Sequence, residues 1–219
     1  MKKYIIIVAG GSGSRMGSAT PKQFLELLGL PILMHTLKKF QQTVVGGEII
    51  LALREKEQST WQSLCEKHQF DVPHQIVNGG ESRFHSVQNA LQKVKEKSIV
   101  AIHDGVRPLV SETVINNCIQ SAEKFGAAIP TLPMQDSIRK ISDNGSKIAD
   151  RGQFVLVQTP QCFQSEVILK AYQQEYQNSF TDDASVVEQF GHNIYLLEGN
   201  KENIKITTAE DLKIAKVLF

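Results

Sequence analysis

The sequence predicts an α/β fold, a mostly parallel sheet with helices on both faces, and three observations carry that reading. Short apolar runs alternate with stretches of helical period along almost the whole chain, the pattern of parallel strands joined by right-handed helical crossovers. A glycine-rich stretch follows the first apolar run, at the carboxyl end of a strand, where open α/β sheets bind ligands. The chain has 219 residues, 41% hydrophobic and 21% charged, an ordinary composition for one globular domain.

Tyr4–Val8 is an uninterrupted apolar run and reads as a buried strand. The stretch after it, VAGGSGSRMGSATPK over 8–22, reads as a long loop. Pro21 discourages a helix there and the next helix start is Pro31, so roughly twenty residues lie outside regular structure. Pro31–Gln41 is a helix with proline in its first turn. Glu48–Leu53 is the second strand, and Gln58–His68 a helix with Trp61, Leu64 and Cys65 on one face. Gln75–Val77, Ile99–Ile102 and Ala127–Leu132 read as strands, and Ser82–Val94 and Ser111–Phe125 as helices, the latter capped by Ser111. Alternation breaks at Gln135–Arg151. There Ser137–Ile141 and Lys147–Ala149 flank an Asn144-Gly145 pair that predicts a hairpin. A lone ribbon is marginal in water, so it packs either on its own domain or on a second copy of the chain. Beyond it come a strand at Phe154–Gln158, helices at Glu166–Tyr176 and Asp183–Phe190, and short strands at Ile194–Leu197 and Asn203–Ile206. The last helix opens on Thr208 and Asp211 at capping-box spacing.

Composition excludes several function classes. A net charge of +1 gives no global basic field for nucleic acid. No apolar stretch approaches membrane-span length, and Lys2-Lys3 before a short apolar run ended by glycines is no secretory leader. Cys65, Cys118 and Cys162 are three, far apart and without metal-ligand spacing, which points to buried free thiols in a reducing cytoplasm. The histidines outside the 103–108 motif, His35, His68, His74, His85 and His192, are expected on surfaces.

Four segments carry candidate chemistry. In the first loop Gly10, Gly11, Gly13 and Gly17 permit an anion-binding turn of backbone N–H groups, with Arg15 and Lys22 adding full charges. It fits neither G-x-G-x-x-G, because Met16 stands at the third glycine, nor the P-loop, because Pro21 precedes Lys22. It is therefore either a polyphosphate site or a glycine-rich connection with solvated cations. His103-Asp104-Gly105-Val106-Arg107-Pro108 places a carboxylate and a guanidinium at a strand's carboxyl end, to meet substrate or each other. Gly79-Gly80-Glu81-Ser82-Arg83, with Ser86, sets either a base-reading turn or a simple glycine turn before a capped helix. Lys205, in the apolar 203–207 segment, is either an edge-strand gatekeeper or a cation aimed at the pocket of Lys22.

Together these segments resemble one family. AGGSGSRMG…PKQF, NGGESRFHSV, HDGVRP, ADRG…QTPQCF, TDDAS and EGNKENIKIT stand here in the order and spacing of the 2-C-methyl-D-erythritol 4-phosphate cytidylyltransferases, across essentially the whole chain. The resemblance implies a Rossmann-like nucleotidyltransferase fold, 1–219 as one domain, with residues 135–151 as a protruding β-arm exchanged in a homodimer. It implies cytidylyl transfer from CTP to 2-C-methyl-D-erythritol 4-phosphate, releasing pyrophosphate, with Mg²⁺ held mainly by the CTP phosphates. Arg15 and Lys22 would stabilise the transition state. Ala9, Gly10, Gly11 and Gly13 would wrap the triphosphate, and Gly80 and Ser86 would meet the cytidine. Asp104, Gly105 and Arg107 would face the methylerythritol. Ser137 and Arg151 would reach the other subunit's site, and Thr181 and Lys205 would complete the pocket. Ser137 stands where threonine is common, with the hydroxyl kept, and the opening VAGG differs from the frequent PAAG. Ribitol 5-phosphate cytidylyltransferase shares the fold and most motifs and is the nearest alternative. A nucleotide-sensing module without turnover is the alternative from another class, and Arg15, Lys22 and Lys205 together argue against it.

Overall fold

The computed structural model describes residues 1–10 and 20–219. Strands and helices run β1 (Lys2–Val8), β2 (Glu26–Leu27), β3 (Leu30–Pro31), α1 (Ile32–Thr43), β4 (Glu48–Leu53), α2 (Glu55–Lys67), β5 (Gln75–Asn78), α3 (Arg83–Leu91), β6 (Ser98–Asp104) and α4 (Glu112–Phe125). The second half continues with β7 (Ala127–Pro133), β8 (Ile138–Ser142), β9 (Gly145–Ala149), β10 (Val155–Val157), β11 (Gln161–Gln164), α5 (Ser165–Ala171), α6 (Asp183–Gln189), β12 (Tyr195–Glu198) and α7 (Ala209–Leu218).

One eight-stranded sheet organises them. Strands β7, β11, β6, β1, β4 and β5 lie side by side in that order, and β10 and β12 both pair with β7. The β6-β1-β4-β5 half is parallel throughout, as the alternation predicts. Side chains of successive strand residues point to opposite faces, and the two cores follow that period. Ile5, Ile7, Ile49, Leu51, Ile99 and Ala101 pack under α1 and α4 with Trp61 of α2. Tyr4, Ile6, Ile50, Ala52, Val100 and Ile102 pack under α3, α5 and α6. An unbroken apolar strand is therefore one buried on both faces.

Strand order also fixes where the crevice lies. The chain leaves β1, adds β4 and β5 on one side, then crosses back to place β6 on the other. The connections after β1 and β6 diverge at that reversal, so the loop after Val8 opens at the switch point of the sheet.

Several expectations need correction. The 203–206 segment is no strand: it makes one backbone bond to the β6 loop, Ile206 N–H to the Val106 carbonyl at 3.0 Å, and crosses the strand ends instead of extending an edge. The sheet is mainly parallel, as expected, with β10 and β11 running antiparallel to β7 and β11 antiparallel to β6. β11 escapes sequence reading because Pro160 and two glutamines mask its short apolar core. Between Val157, opposite Thr131, and Cys162, opposite Ala128, five residues advance against three, so β10 and β11 form one run broken by a bulge. The helix expected over Glu166–Tyr176 ends at Ala171. The connection before Pro31 is partly ordered, with a 3-10 turn at Lys22–Phe24 and the small β2–β3 hairpin. The five histidines expected on surfaces are half-buried instead. His74 Nε2, for one, accepts the Trp61 indole N–H at 3.0 Å. Cys118 and Cys162 are buried free thiols, and Cys65 is partly buried. No helix among the described residues is long and apolar enough to cross a membrane.

Candidate active site

The carboxyl ends of β1, β4, β5 and β6 are laced together one residue past the ladder. Ala9 N–H donates to the Ala52 carbonyl at 2.9 Å, Gly79 N–H to Leu53 at 2.8 Å, and Gly105 N–H to Val8 at 2.9 Å. Gln23, 1% exposed, donates from Nε2 to the Ala9 carbonyl and to the Glu57 carboxylate, both at 2.9 Å. This side chain brings the turn that carries Lys22 to the end of β1. Burial raises the Glu57 carboxyl above its ordinary value, against the Arg54 and Lys56 charges that lower it. Sequence reading missed Gln23, because a polar residue beside Lys22 gives no sign of being buried. Gly11, Gly13 and Arg15 lie outside the described residues.

Ala9 differs from its expected role. Its amide and carbonyl are both taken within the protein, so it anchors the loop and offers no backbone donor. Gly105 is likewise committed: its carbonyl accepts from Thr36 Oγ1 at 3.0 Å, and a Cβ there would stand 3.3 Å from that of Ala9. Glycine at 105 lets β6 pack against β1, which is a wall of the site and not an opening in it.

The Gly79–Gly80 turn is fastened to α3. Ser86 Oγ donates to the Ser82 carbonyl at 2.9 Å and accepts from Gly80 N–H at 3.0 Å. A Cβ on Gly80 would lie 2.3 Å from that of His85, so only glycine brings this turn against the helix start. Gly10 faces the same hydroxyl, 3.5 Å from where its Cβ would sit.

Asp104 ends β6, 6% exposed, among three cations. Its Oδ2 lies 3.0 Å from Lys205 Nζ and 3.2 Å from Arg107 Nε, and its Oδ1 lies 3.5 Å from Arg83 Nε. Burial alone would raise this carboxyl; the charges of Arg83, Lys205 and Arg107 outweigh it and hold the group far below its ordinary range. Arg107 also donates to the Asn203 carbonyl at 2.7 Å, and Asn203 Nδ2 to the Thr159 carbonyl at 2.8 Å. These bonds explain why the 203–206 segment crosses the strand ends, and why Lys205 arrives at Asp104. The Lys205 side chain is 41% exposed and Arg107 13%, so Lys205 is the more open of the two cations. Behind them Arg83 Nη1 and Nη2 meet Asp183 Oδ1 and Oδ2 at 2.8 and 2.6 Å, and Tyr172 Oη donates to Asp183 Oδ1 at 2.6 Å. The motifs GGESR and TDDAS held two of these three residues, and no local spacing tells that residues 100 apart would pair.

Ser137 and Arg151 lie apart from this network, at the base of the β8–β9 hairpin. They line a cavity of about 340 Å³ with Ile138, Ile148, Ala149 and Asp150, and Arg151 Nη1 donates to the Gln135 carbonyl. Thr181 is exposed beside the N-cap of α6. Among the described residues no group of three or more His, Cys, Asp or Glu is placed to hold a metal ion.

The comparisons with known proteins fall on this site's chain as a whole. The 2-C-methyl-D-erythritol 4-phosphate cytidylyltransferase family signature matches residues 4–219. A protein of that name from Bacteroides thetaiotaomicron is 50% identical over 219 residues, covering all of both chains. Among solved structures, the Francisella tularensis enzyme of the same name is 33% identical with a TM-score of 0.82, covering all of both chains. The 4-diphosphocytidyl-2C-methyl-D-erythritol synthase of Anaerococcus prevotii is 30% identical with a TM-score of 0.83, covering 99% of this chain and 95% of that one.

One buried histidine gives the site a pH dependence. Thr159 Oγ1 accepts Asp104 N–H at 3.2 Å, which leaves its own proton for His103 Nδ1 at 2.9 Å; Nε2–H then donates to the Arg107 carbonyl at 3.0 Å. Burial holds this neutral ring's pKa down at about 4, from an ordinary 6.5. Between those values the unfolded chain binds the extra proton, so stability falls as pH drops from 6.5 to 4, by about 3 kcal/mol in all. Urea unfolding at pH 7.0 and 4.5 is expected to show most of that loss, and His103→Gln, which keeps one donor and one acceptor, to flatten it. An identical pH slope in His103→Gln contradicts the assignment.

Proposed function

The chain belongs to the 2-C-methyl-D-erythritol 4-phosphate cytidylyltransferase family and is a cytidylyltransferase, and from that premise we propose that it joins the cytidylyl group of CTP to 2-C-methyl-D-erythritol 4-phosphate. The observation that carries this reading is the gathering of Arg107 and Lys205 on Asp104 at the carboxyl ends of β1 and β6. A nucleotide triphosphate and a phosphorylated polyol both need such a cationic recess.

The reaction breaks the bond between the α- and β-phosphates of CTP and forms one from the polyol phosphate oxygen to the α-phosphorus, releasing pyrophosphate. The nucleophile is already ionised at neutral pH, so no general base is required. The barrier is repulsion between anions, and positioning with fixed positive charge lowers it. In this reading Lys22 and Arg15 stabilise charge at the α-phosphorus. Gly10, Gly80 and Ser86 shape the pocket of the base, with Ala9, Gly11 and Gly13 leading the loop over the triphosphate. Asp104 accepts a polyol hydroxyl, Gly105 forms the wall beneath it, and Arg107, Thr181 and Lys205 hold the rest of the acceptor. The carboxylates of Asp104 and Asp183 are occupied by cations, so a Mg²⁺ ion would be held mainly by CTP phosphate oxygens. Its chemistry there is to neutralise phosphate charge and fix the triphosphate's shape. A cytoplasmic setting agrees with the free thiols.

The same reading makes the protein a homodimer. Phe154, Val155, Leu156 and Val157 are 51, 43, 51 and 41% exposed, so apolar side chains on both faces of β10 meet water. Ile141 and Ile148 of the hairpin are 84 and 79% exposed. An exposed apolar edge of this kind marks an interaction surface. Exchange of the arm, residues 135–151, would cover it and bring Ser137 and Arg151 to the substrate phosphate in the partner's site.

Pyrophosphate release from CTP is expected with methylerythritol 4-phosphate and not with ribitol 5-phosphate; the reverse preference overturns the substrate reading. Lys22→Ala is expected to lower kcat by about 10²–10³ with an unchanged melting temperature. Full turnover in that variant removes Lys22 from its role. By sedimentation the wild type is expected as a dimer and Leu156→Glu as a monomer. A wild-type monomer with full activity contradicts arm exchange.

A further inference from the structure

We propose that Arg83 is a positioning residue for the polyol-phosphate half of the site: clamped by Asp183 at the end of its guanidinium, it holds the Asp104 carboxylate in place with its Nε edge. The proposal rests on the functional reading above, which puts Asp104 against the acceptor substrate.

The geometry depends on arginine's shape. A guanidinium has a paired donor end and a separate Nε edge at a fixed angle. Here the paired end meets both oxygens of Asp183, at 2.8 and 2.6 Å, which fixes the plane of the group. The Nε edge then faces Asp104 Oδ1 at 3.5 Å. A lysine would supply the charge but could not satisfy two carboxylates in two fixed directions. Were Arg83 needed only to neutralise Asp183, a second carboxylate along its Nε edge would be unnecessary.

The clamp is itself anchored to the sheet. Asp183 is fully buried and also accepts from Tyr172. Its neighbours on α6 are tied to β11, where Gln161 Nε2 donates to Asp182 Oδ2 at 2.7 Å and Gln161 Oε1 accepts Ala184 N–H at 2.9 Å. Gln161 in turn pairs in register with Ile102 of β6, two residues before Asp104. Arg83 is also the first residue of α3, three residues beyond Gly80 in the turn that Ser86 fastens. One side chain thus joins the turn assigned to the nucleotide, the α6 start beside Thr181, and the carboxylate assigned to the polyol. Through charge alone Arg83 lowers the Asp104 carboxyl more than Lys205 or Arg107 does, and Lys205 adds a hydrogen bond.

The test uses the full-length protein in steady-state assays with CTP and methylerythritol 4-phosphate varied separately. Arg83→Lys is expected to lower kcat/KM for the polyol phosphate by about 10- to 100-fold, mainly through KM, as fits the loss of one charge-assisted contact. KM for CTP should stay within about twofold, a split that general loosening of the fold would not produce. Tyr172→Phe leaves Arg83 in place but loosens its clamp, and should raise the polyol phosphate KM by about threefold. Arg83→Lys with an unchanged polyol phosphate KM, or with both KM values raised alike, overturns the proposal. If Arg83→Lys does not fold, Tyr172→Phe decides, and an unchanged KM there overturns it. A wild-type protein without turnover on this substrate pair fails the functional reading instead, an outcome distinct from either.

Discussion

Burying the Asp104 carboxylate costs several kcal/mol unless positive charge surrounds it. Much of the molecule is arranged to supply that charge. Arg107 reaches it from three residues along the same loop, Lys205 from a segment that crosses the strand ends, and Arg83 from the first turn of α3. Two of the three are held from behind, Arg107 by the Asn203 carbonyl and Arg83 by Asp183. The carboxylate therefore acts as a knot that draws three distant stretches of chain to the end of one strand. The recess around it carries more cations than carboxylates, which suits it to phosphate.

The fold was legible wherever periodicity decides structure. β1, β4 and β6 are apolar because both faces are buried, and their two sets of side chains divide between two cores. Ser111 and Thr208 cap helices where their side chains accept an early amide. The failures occur where tertiary contacts override local pattern. Residues 203–206 have the composition of a strand, but Arg107 and Val106 draw them across the strand ends. β11 has too short an apolar core to be seen locally, and it exists because β6 and β7 present open edges on either side of it.

The site divides in the same manner. Asp104 and Arg107 could be singled out because they follow a strand's carboxyl end, and Lys205 because it stands in an apolar segment, and the three do meet. Gly80 stood out as a turn residue, and its tight approach to His85 gives the reason. The supporting layer was not legible. Gln23, Tyr172, Asp183 and Thr159 act through contacts with residues far along the chain, and nothing in their neighbours' spacing marks them. Glycine at 105 and alanine at 9 belong to this layer too: Gly105 N–H is spent on Val8 of β1, and Ala9 N–H on Ala52 of β4.

Carbon-13 NMR of protein labelled at aspartate carboxyls, with Asp104 assigned through Asp104→Asn, follows the charge on that group itself. If the three cations hold it as described, its signal stays flat from pH 7 down through 3.8, the ordinary carboxyl value, for as long as the protein remains folded. A titration of Asp104 with its midpoint at or above 3.8 in the folded protein would mean that the cations do not converge on it, and the arrangement set out here would be wrong.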